Sequence, residues 1–436
     1  MFAYCREYTT AAYVKHWAHV VSHGRFNVSI RFMLIRRQKK LSHHRCLCHS
    51  PNVGTQSEQE IVTATLILGG ISVACWFLFF YPYLFYPAAL RLLRKHPVHK
   101  APANLSASLL LCAYNEAQCL SRKIENLRAL KRSSPDLQIL VFDDGSSDGT
   151  YEQLGAAGDL LTVVRGGGRA GKAAGMRQLV ARAVGDILIF TDADVLIEPD
   201  AIARLLPYYS DPTIGGVCCT VKMLSQTPTA TSETGSVYWS WDDRLQQLES
   251  ASGNVMGASG ALFSVRRELY PEFPTTVQDD FTVSMSVIFQ GKRLIKARDV
   301  IACTNSVSER DDELRRKIRI GMRAYHTHRF MRPRLRAMQP RDRFKYVSRK
   351  MLRWFGGFFV GLGTISGLAA LAFASVAAAA IALLLLVLFT TLALVGRNGR
   401  LARMCQAAVA TFGTFFGVMQ AMRGRTVSTW APAKSR

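Results

Sequence analysis

Ile187-Leu-Ile-Phe-Thr-Asp-Ala-Asp194 decides how the chain is read. Four apolar residues form a short buried strand, expected to run out at Thr191. Two carboxylates follow, Asp192 and Asp194. In extended chain, residues two apart point the same way, so both acids can face one spot beyond the sheet edge. Paired carboxylates there suit a hard divalent cation that also holds phosphate oxygens. The plainer alternative is a capped turn, because Asp is common where strands end.

The flanking sequence supplies a sheet for that strand. Ser108–Ala113, Gln138–Phe142, Leu161–Val164 and Asp186–Phe190 read as strands, with helical segments such as Leu120–Leu130 and Lys172–Val184 between them. Alternation of this kind predicts an α/β domain over residues 104–310, with a mostly parallel, Rossmann-like sheet and ligands at its C-terminal edge. Each strand ends in a polar cluster. The clusters are Ala113-Tyr114-Asn115-Glu116, Asp143-Asp144-Gly-Ser-Ser-Asp-Gly-Thr150, Gly166-Gly-Gly-Arg-Ala-Gly171-Lys172 and Thr191-Asp-Ala-Asp194. Together they predict a binding crevice on one rim.

Outside the domain the chain turns apolar. Residues 61–87 are uncharged and end in an aromatic belt, which predicts a transmembrane helix. Arg91, Arg94, Lys95 and Lys100 follow it, and the positive-inside rule then places the domain in the cytoplasm. Residues 354–396 are twice the length of one span and read as a hairpin turning near Ser375. Residues 404–422 could span or lie in the interface, and the interfacial reading is preferred. Small residues (Gly356, Gly357, Gly361, Gly363, Gly367 and Ala377–Ala380) permit close helix packing there. Residues 311–353, rich in cations and aromatics, are expected to be basic amphipathic helices at the membrane surface.

The net charge of +24 in 436 residues fits an anionic lipid surface. The chain contains no recognised nucleic-acid-binding motif, so nucleic acid is not an expected partner. The ten cysteines form no CxxC pair and read as reduced, mostly buried thiols. Residues 1–58 are basic and read as a disordered segment, or as the product of a start codon assigned too early. They hold His43, His44, Cys46, Cys48 and His49, whose spacing fits no zinc pattern.

The motifs, in this order, resemble the membrane-embedded family 2 glycosyltransferases of GT-A type that make bacterial exopolysaccharides such as poly-N-acetylglucosamine and hyaluronan. The resemblance covers about residues 60–436 and rests on Asp143-Asp-Gly-Ser-Ser-Asp-Gly149, Asp192-Ala-Asp194, Gly257-Ala-Ser-Gly-Ala261 and Gln278-Asp-Asp280. It implies transfer of a sugar, with inversion, from a nucleotide donor, expected to be UDP-linked, to a saccharide acceptor. It also implies a multi-pass protein of the bacterial inner membrane, with export or accessory subunits as further partners. Asp280 maps to the catalytic base, Asp192 and Asp194 to the Mg²⁺ or Mn²⁺ motif, and Ser259 and Gly260 to the donor-sugar and acceptor loop.

Chemistry gives those residues work. Departure of a diphosphate builds negative charge that a bound cation neutralises. The acceptor hydroxyl must lose its proton to a positioned base. Asp143 or Asp144 can accept from ribose or uracil, and Gly171 and Lys172 can approach phosphate. Asp279 reads as the cap of the helix that follows, with Asp280 reaching the site. Arg316, Lys317 and Arg319 stand where processive members carry Gln-Arg-x-Arg-Trp. The Gln and the Trp (here Ile320) are both lost, so transfer of a single sugar to a lipid acceptor stays open. Trp239 or Trp241 could stack an acceptor sugar, while Glu249 reads as a surface residue.

Two rivals remain. Gly166-xxxx-Gly171-Lys172 nearly matches an ATPase P-loop, but position 173 is Ala and lacks the hydroxyl that would ligate Mg²⁺. A membrane-tethered binding protein with a degenerate transferase domain is the other. The intact acidic set favours the enzyme.

Overall fold

The computed structural model describes residues 53–224, 229–305, 309–395 and 399–427. The histidines and cysteines between His43 and His49 fall outside them. Residues 55–436 make one compact unit.

Among the described residues eight strands form one sheet: β1 (Ala107–Ala113), β2 (Gln138–Asp143), β3 (Thr162–Arg165), β4 (Ile187–Asp192), β5 (Leu196–Ile197), β6 (Ile214–Leu224), β7 (Leu262–Arg266) and β8 (Arg293–Asn305). Their order is β3-β2-β1-β4-β7-β6-β8-β5. The first four strands pair in parallel, β7 runs antiparallel between β4 and β6, and β6 and β8 are again parallel. Parallel strands are buried on both faces. Leu109, Leu110 and Leu111 of β1 and Ile187, Leu188 and Ile189 of β4 are accordingly shut from solvent.

Among the described residues nine longer helices flank the sheet or leave the domain: α1 (Val53–Phe80), α2 (Ala117–Ser133), α3 (Lys172–Val180), α4 (Ala230–Ala251), α5 (Asp279–Phe289), α6 (Arg310–Ala337), α7 (Gly356–Ala374), α8 (Val376–Val395) and α9 (Arg400–Met422). Gly175 of α3 lets that helix sit on the sheet, since a Cβ there would lie 2.4 Å from the Phe142 ring.

Three described helices are long and apolar enough to cross a membrane: Glu58–Phe80, Gly356–Ala374 and Arg400–Met422. α1 stops at Phe80, and Pro87 belongs to a separate short helix, Phe85–Leu92. The break between α7 and α8 falls at Ser375, whose backbone is extended. Small residues bring α7 close to α1: Ser72 Oγ donates to the Gly363 carbonyl at 2.8 Å, and a Cβ on Gly363 would touch Cys75 and Trp76.

α9 packs along α6 through glycine. A Cβ on Gly417 would lie 2.1 Å from the Ile318 carbonyl oxygen, and one on Gly321 would lie 2.1 Å from that of Thr414. The arginine-rich α6 cannot enter hydrocarbon without large cost.

Residues 311–353 depart from a simple surface stripe. Lys345 and Arg349 are buried in the domain. Lys345 donates to the carbonyls of Glu249, Ser252 and Asn254, and Arg349 pairs with Asp242 and Glu249. Glu249 is likewise no surface residue. It is fully enclosed and accepts from the Tyr86 hydroxyl at 2.5 Å and the Met256 amide at 3.0 Å. These buried ions are mutually compensated, as an enclosed charge requires. Among the described cysteines, Cys75, Cys112, Cys218, Cys219 and Cys405 are buried.

Candidate active site

The crevice forms where β1, β2 and β4 end. β4 continues through Asp192, which pairs in register with Cys112. Burial then alternates: Ala193 and Val195 are inside, while Asp192 and Asp194 are half-buried toward the crevice. The two acids thus share a side, although Asp194 already lies in a turn.

Lys172, first residue of α3, links the acidic groups. Its ammonium lies 2.5 Å from Asp192 Oδ1 and 3.6 Å from Asp279 Oδ2. Burial alone would lower the Lys172 pKa, but Asp192 and Asp279 together raise it well above the ordinary value. Arg323 of α6 reaches the other oxygen of Asp279 at 3.7 Å and donates to the Val277 carbonyl at 2.5 Å. Asp279 is buried, yet Lys172 and Arg323 hold its pKa below the usual carboxylate range. Asp280 follows at the first turn of α5. Burial and the neighbouring Asp279 charge push its carboxyl up to about 6. A Cβ on Gly260 would lie 3.0 Å from Asp280 Oδ2, so the 257–261 loop closes directly on this acid.

Asp143 and Asp144 are both enclosed but have separate tasks. Asp144 accepts from the Ala170 amide at 2.7 Å and the Gly171 amide at 3.0 Å. Those two amides are committed to Asp144, which leaves Lys172 as the loop's contribution to the crevice. Asp143 meets the Ser146 amide at 3.3 Å. Asn115 adopts φ 52°, and its side chain accepts from the Ser147 amide at 2.9 Å while its own amide donates to Ser146 Oγ at 3.0 Å. Ala113 sits enclosed at the end of β1, and the Glu116 amide donates to Thr150 Oγ1 at 2.9 Å. The Arg169 guanidinium stacks on Tyr114, 3.9 Å from its ring centroid. The first two polar clusters therefore brace each other.

Residues 108–273 match the sequence model described as Glycosyl transferase family 2. The chain carries a family 2 glycosyltransferase domain. Among curated relatives, a beta-monoglucosyldiacylglycerol synthase from Synechocystis sp. is 30% identical over 144 residues, covering 30% of this chain and 30% of that protein. A poly-beta-1,6-N-acetyl-D-glucosamine synthase from Staphylococcus aureus is 25% identical over 259 residues, covering 53% of this chain and 61% of that one. The chain thus spans less than two thirds of these relatives. The fold matches the mannosyltransferase PcManGT from Pyrobaculum calidifontis, solved in complex with GDP-Man and Mn²⁺. The TM-score is 0.62 at 23% identity, covering 82% of this chain and 99% of that one.

Within this glycosyltransferase domain the remaining candidates part company. Trp241 packs on Tyr83 at 5.3 Å and on the Arg353 guanidinium at 5.4 Å, tying α4 to the chain beyond α1. Trp239 lines a small cavity with Ser259. Arg316 and Lys317 pair with Glu313 of their own helix at 3.3 and 3.2 Å, and Lys317 also lies 5.0 Å from the centre of the Tyr238 ring. Arg319 is half-buried on the same helix.

Among the described residues no three His, Cys, Asp or Glu side chains cluster as a metal cage. Two carboxylates suit an ion that completes its shell with water and phosphate, as Mg²⁺ and Mn²⁺ do in nucleotide sites.

Two residues escaped sequence reasoning. Arg323 is far from Asp279 in sequence and left no signal. Lys123 did leave one, as a cation inside the apolar stripe Leu120, Ile124, Leu127 of α2. It is fully enclosed, donates to the Val195 carbonyl at 2.5 Å, and lies beneath the turn that carries both acids. Burial lowers its pKa to about 8, against the opposing pull of Asp194 and Asp192.

Proposed function

We propose that the chain transfers a sugar from a nucleotide donor, UDP-linked by preference, to a saccharide hydroxyl at a membrane surface, with inversion and for extracellular polysaccharide synthesis. One observation carries the reading. Lys172 joins the end of β4 to the start of α5, gathering Asp192, Asp279 and Asp280 around one ammonium. Asp192 and Asp194 would hold a divalent cation, which when bound neutralises the diphosphate as a Lewis acid. The protein's own steps surround that ion. Lys172 offers a second positive charge to the leaving diphosphate. Asp143 and the clusters at Asn115 and Glu116 frame the nucleoside. Asp280 accepts the proton of the attacking hydroxyl, and a single attack inverts the anomeric carbon. Its raised pKa keeps it a competent acceptor near neutral pH, where it is still ionised.

Three helices long and apolar enough to cross a membrane support a site beside the bilayer. The catalytic domain is assigned to the cytoplasmic side by the cations that follow α1, namely Arg91, Arg94, Lys95 and Lys100.

A second reading is addition of one sugar to a lipid acceptor. It is favoured by Arg316 and Ile320, which replace the Gln and Trp of processive synthases, and by the glucolipid synthase among the relatives.

The test is nucleotide release by the purified full chain in detergent, over a panel of nucleotide sugars. Release is expected to need Mg²⁺ or Mn²⁺, to stop with EDTA, and to fall about 10²- to 10⁴-fold in Asp280→Asn. Wild-type release that ignores both chelator and this substitution refutes the assignment. A ladder of product lengths indicates polymerisation, and one sugar per acceptor indicates the second reading.

A further inference from the structure

Lys123 is the buried charge that the proposed reaction leaves without a task. It interrupts the apolar stripe Leu120, Ile124 and Leu127 of α2, and it is fully enclosed. Another leucine would serve packing better, because taking an ammonium out of water is costly unless its partners offset the loss. The partner here is a backbone atom: the ammonium donates to the Val195 carbonyl at 2.5 Å. Asn126 stands three residues on, and so on the same face of α2. It grips the following stretch twice. Its Nδ2 donates to the Ile197 carbonyl at 2.7 Å, and its Oδ1 accepts from the Ile197 amide at 2.9 Å.

All three bonds fall on the short segment that follows Asp194. Its other edge lies on β8, where Leu196 and Ile197 pair with Cys303 and Ala302, and Thr304 Oγ1 donates to Asp194 Oδ2 at 3.3 Å. Asp192 is fixed differently. It ends β4 and is held by the sheet through its pairing with Cys112. Asp194 stands in the turn beyond, which the Val195 amide closes on the Asp192 carbonyl at 3.3 Å, a long bond. The place of Asp194 relative to Asp192 therefore depends on what pins the chain at Val195 and Ile197. A hard cation takes its oxygens at about 2.0–2.6 Å. A turn that slips by one bond length would withdraw one of the two carboxylates from it.

We propose that Lys123 and Asn126 are positioning residues, which pin residues 195–197 from below so that Asp194 joins Asp192 on one divalent cation. The proposal rests on the reading of those two acids as cation ligands, but it concerns binding and needs no turnover.

The experiment is titration of the full chain in detergent with Mn²⁺ alone, free and bound ion being read by electron paramagnetic resonance, with melting temperatures measured alongside. Lys123→Met keeps the length of the side chain and removes the donor. Lys123→Met and Asn126→Ala should each weaken Mn²⁺ binding about tenfold. Loss of the Lys123 charge by itself would tighten binding, since like charges repel, so weaker binding reports position. Arg128→Ala, an exposed change on α2, should bind as wild type does. Leu127→Ala truncates the core of the same helix and should lower the melting temperature while leaving Mn²⁺ affinity unchanged. Unchanged or tighter binding in either Lys123→Met or Asn126→Ala overturns the assignment, and so does an equal loss of affinity in Leu127→Ala. If Lys123→Met does not fold, Asn126→Ala decides alone. Wild-type binding that is indifferent to both Asp192→Asn and Asp194→Asn overturns the cation reading itself, and this proposal with it.

Discussion

Asp279→Asn is the perturbation that best tests the electrostatics of the crevice. Asp280 must be ionised to accept a proton, and its carboxyl is pushed from 3.8 up to about 6, first by burial and then by the Asp279 charge. In the wild type, kcat/KM should therefore be flat above about pH 7 and fall about tenfold per pH unit well below about pH 6. Replacing Asp279 removes the like charge. It also frees Lys172 and Arg323, now 3.6 and 3.7 Å from Asp279, to act unopposed on Asp280. Both changes favour the ionised form, so the acid limb must move to lower pH. If Asp280 returns to about 4, its ionised fraction at about pH 5 rises from about one tenth to about nine tenths. Normalised to its own alkaline plateau, the variant should then retain about ten times more activity there than the wild type. The assay is initial nucleotide release across the pH range at saturating cation. The plateau itself should drop, because Lys172 loses a partner, and normalisation separates that loss from the shift. An acid limb that stays in place, or moves to higher pH, refutes the assignment of this limb to Asp280.

Other consequences are equally direct. Gly260→Ala would press a methyl against Asp280 Oδ2 and should cut kcat/KM by about tenfold or more with little change in melting temperature. Glu249→Ala leaves the buried Arg349 with Asp242 as its one acidic partner and removes the acceptor for Tyr86, and should destabilise the domain by about 3 kcal/mol in denaturant titration. Gly417→Val sets side-chain atoms against the Ile318 carbonyl and should part α9 from α6, seen as a lower melting temperature in detergent and faster proteolysis after α6.

The sheet's parallel half was legible because buried parallel strands are continuous apolar runs, as in Ser108–Ala113 and Ile187–Phe190, and each ended in its polar cluster. The other half was not. β6 holds paired glycines and cysteines, and β8 interleaves Arg293, Lys296, Arg298 and Asp299 with apolar residues, so neither resembles a buried run. The same periodicity argument failed for residues 311–353. Cations alternating with aromatics look alike whether they face lipid or pair with hidden acids, and only Asp242 and Glu249 on α4 distinguish the two. Glu249 itself looked like surface for want of a visible partner.

Residue order alone therefore determined the fold class, the acidic motifs at the sheet rim and the apolar helices, because period, composition and strand-end chemistry are local properties of the chain. Tertiary structure decided which acids meet. Lys172 reaches both Asp192 and Asp279, Arg323 arrives from α6 to hold Asp279, and Lys123 sits beneath the Asp192–Asp194 turn. It also separated Trp239, beside Ser259, from Trp241, against Tyr83. Such pairings depend on Coulomb and packing distances between segments far apart in sequence, and those distances exist only once the sheet and its helices have closed on one another.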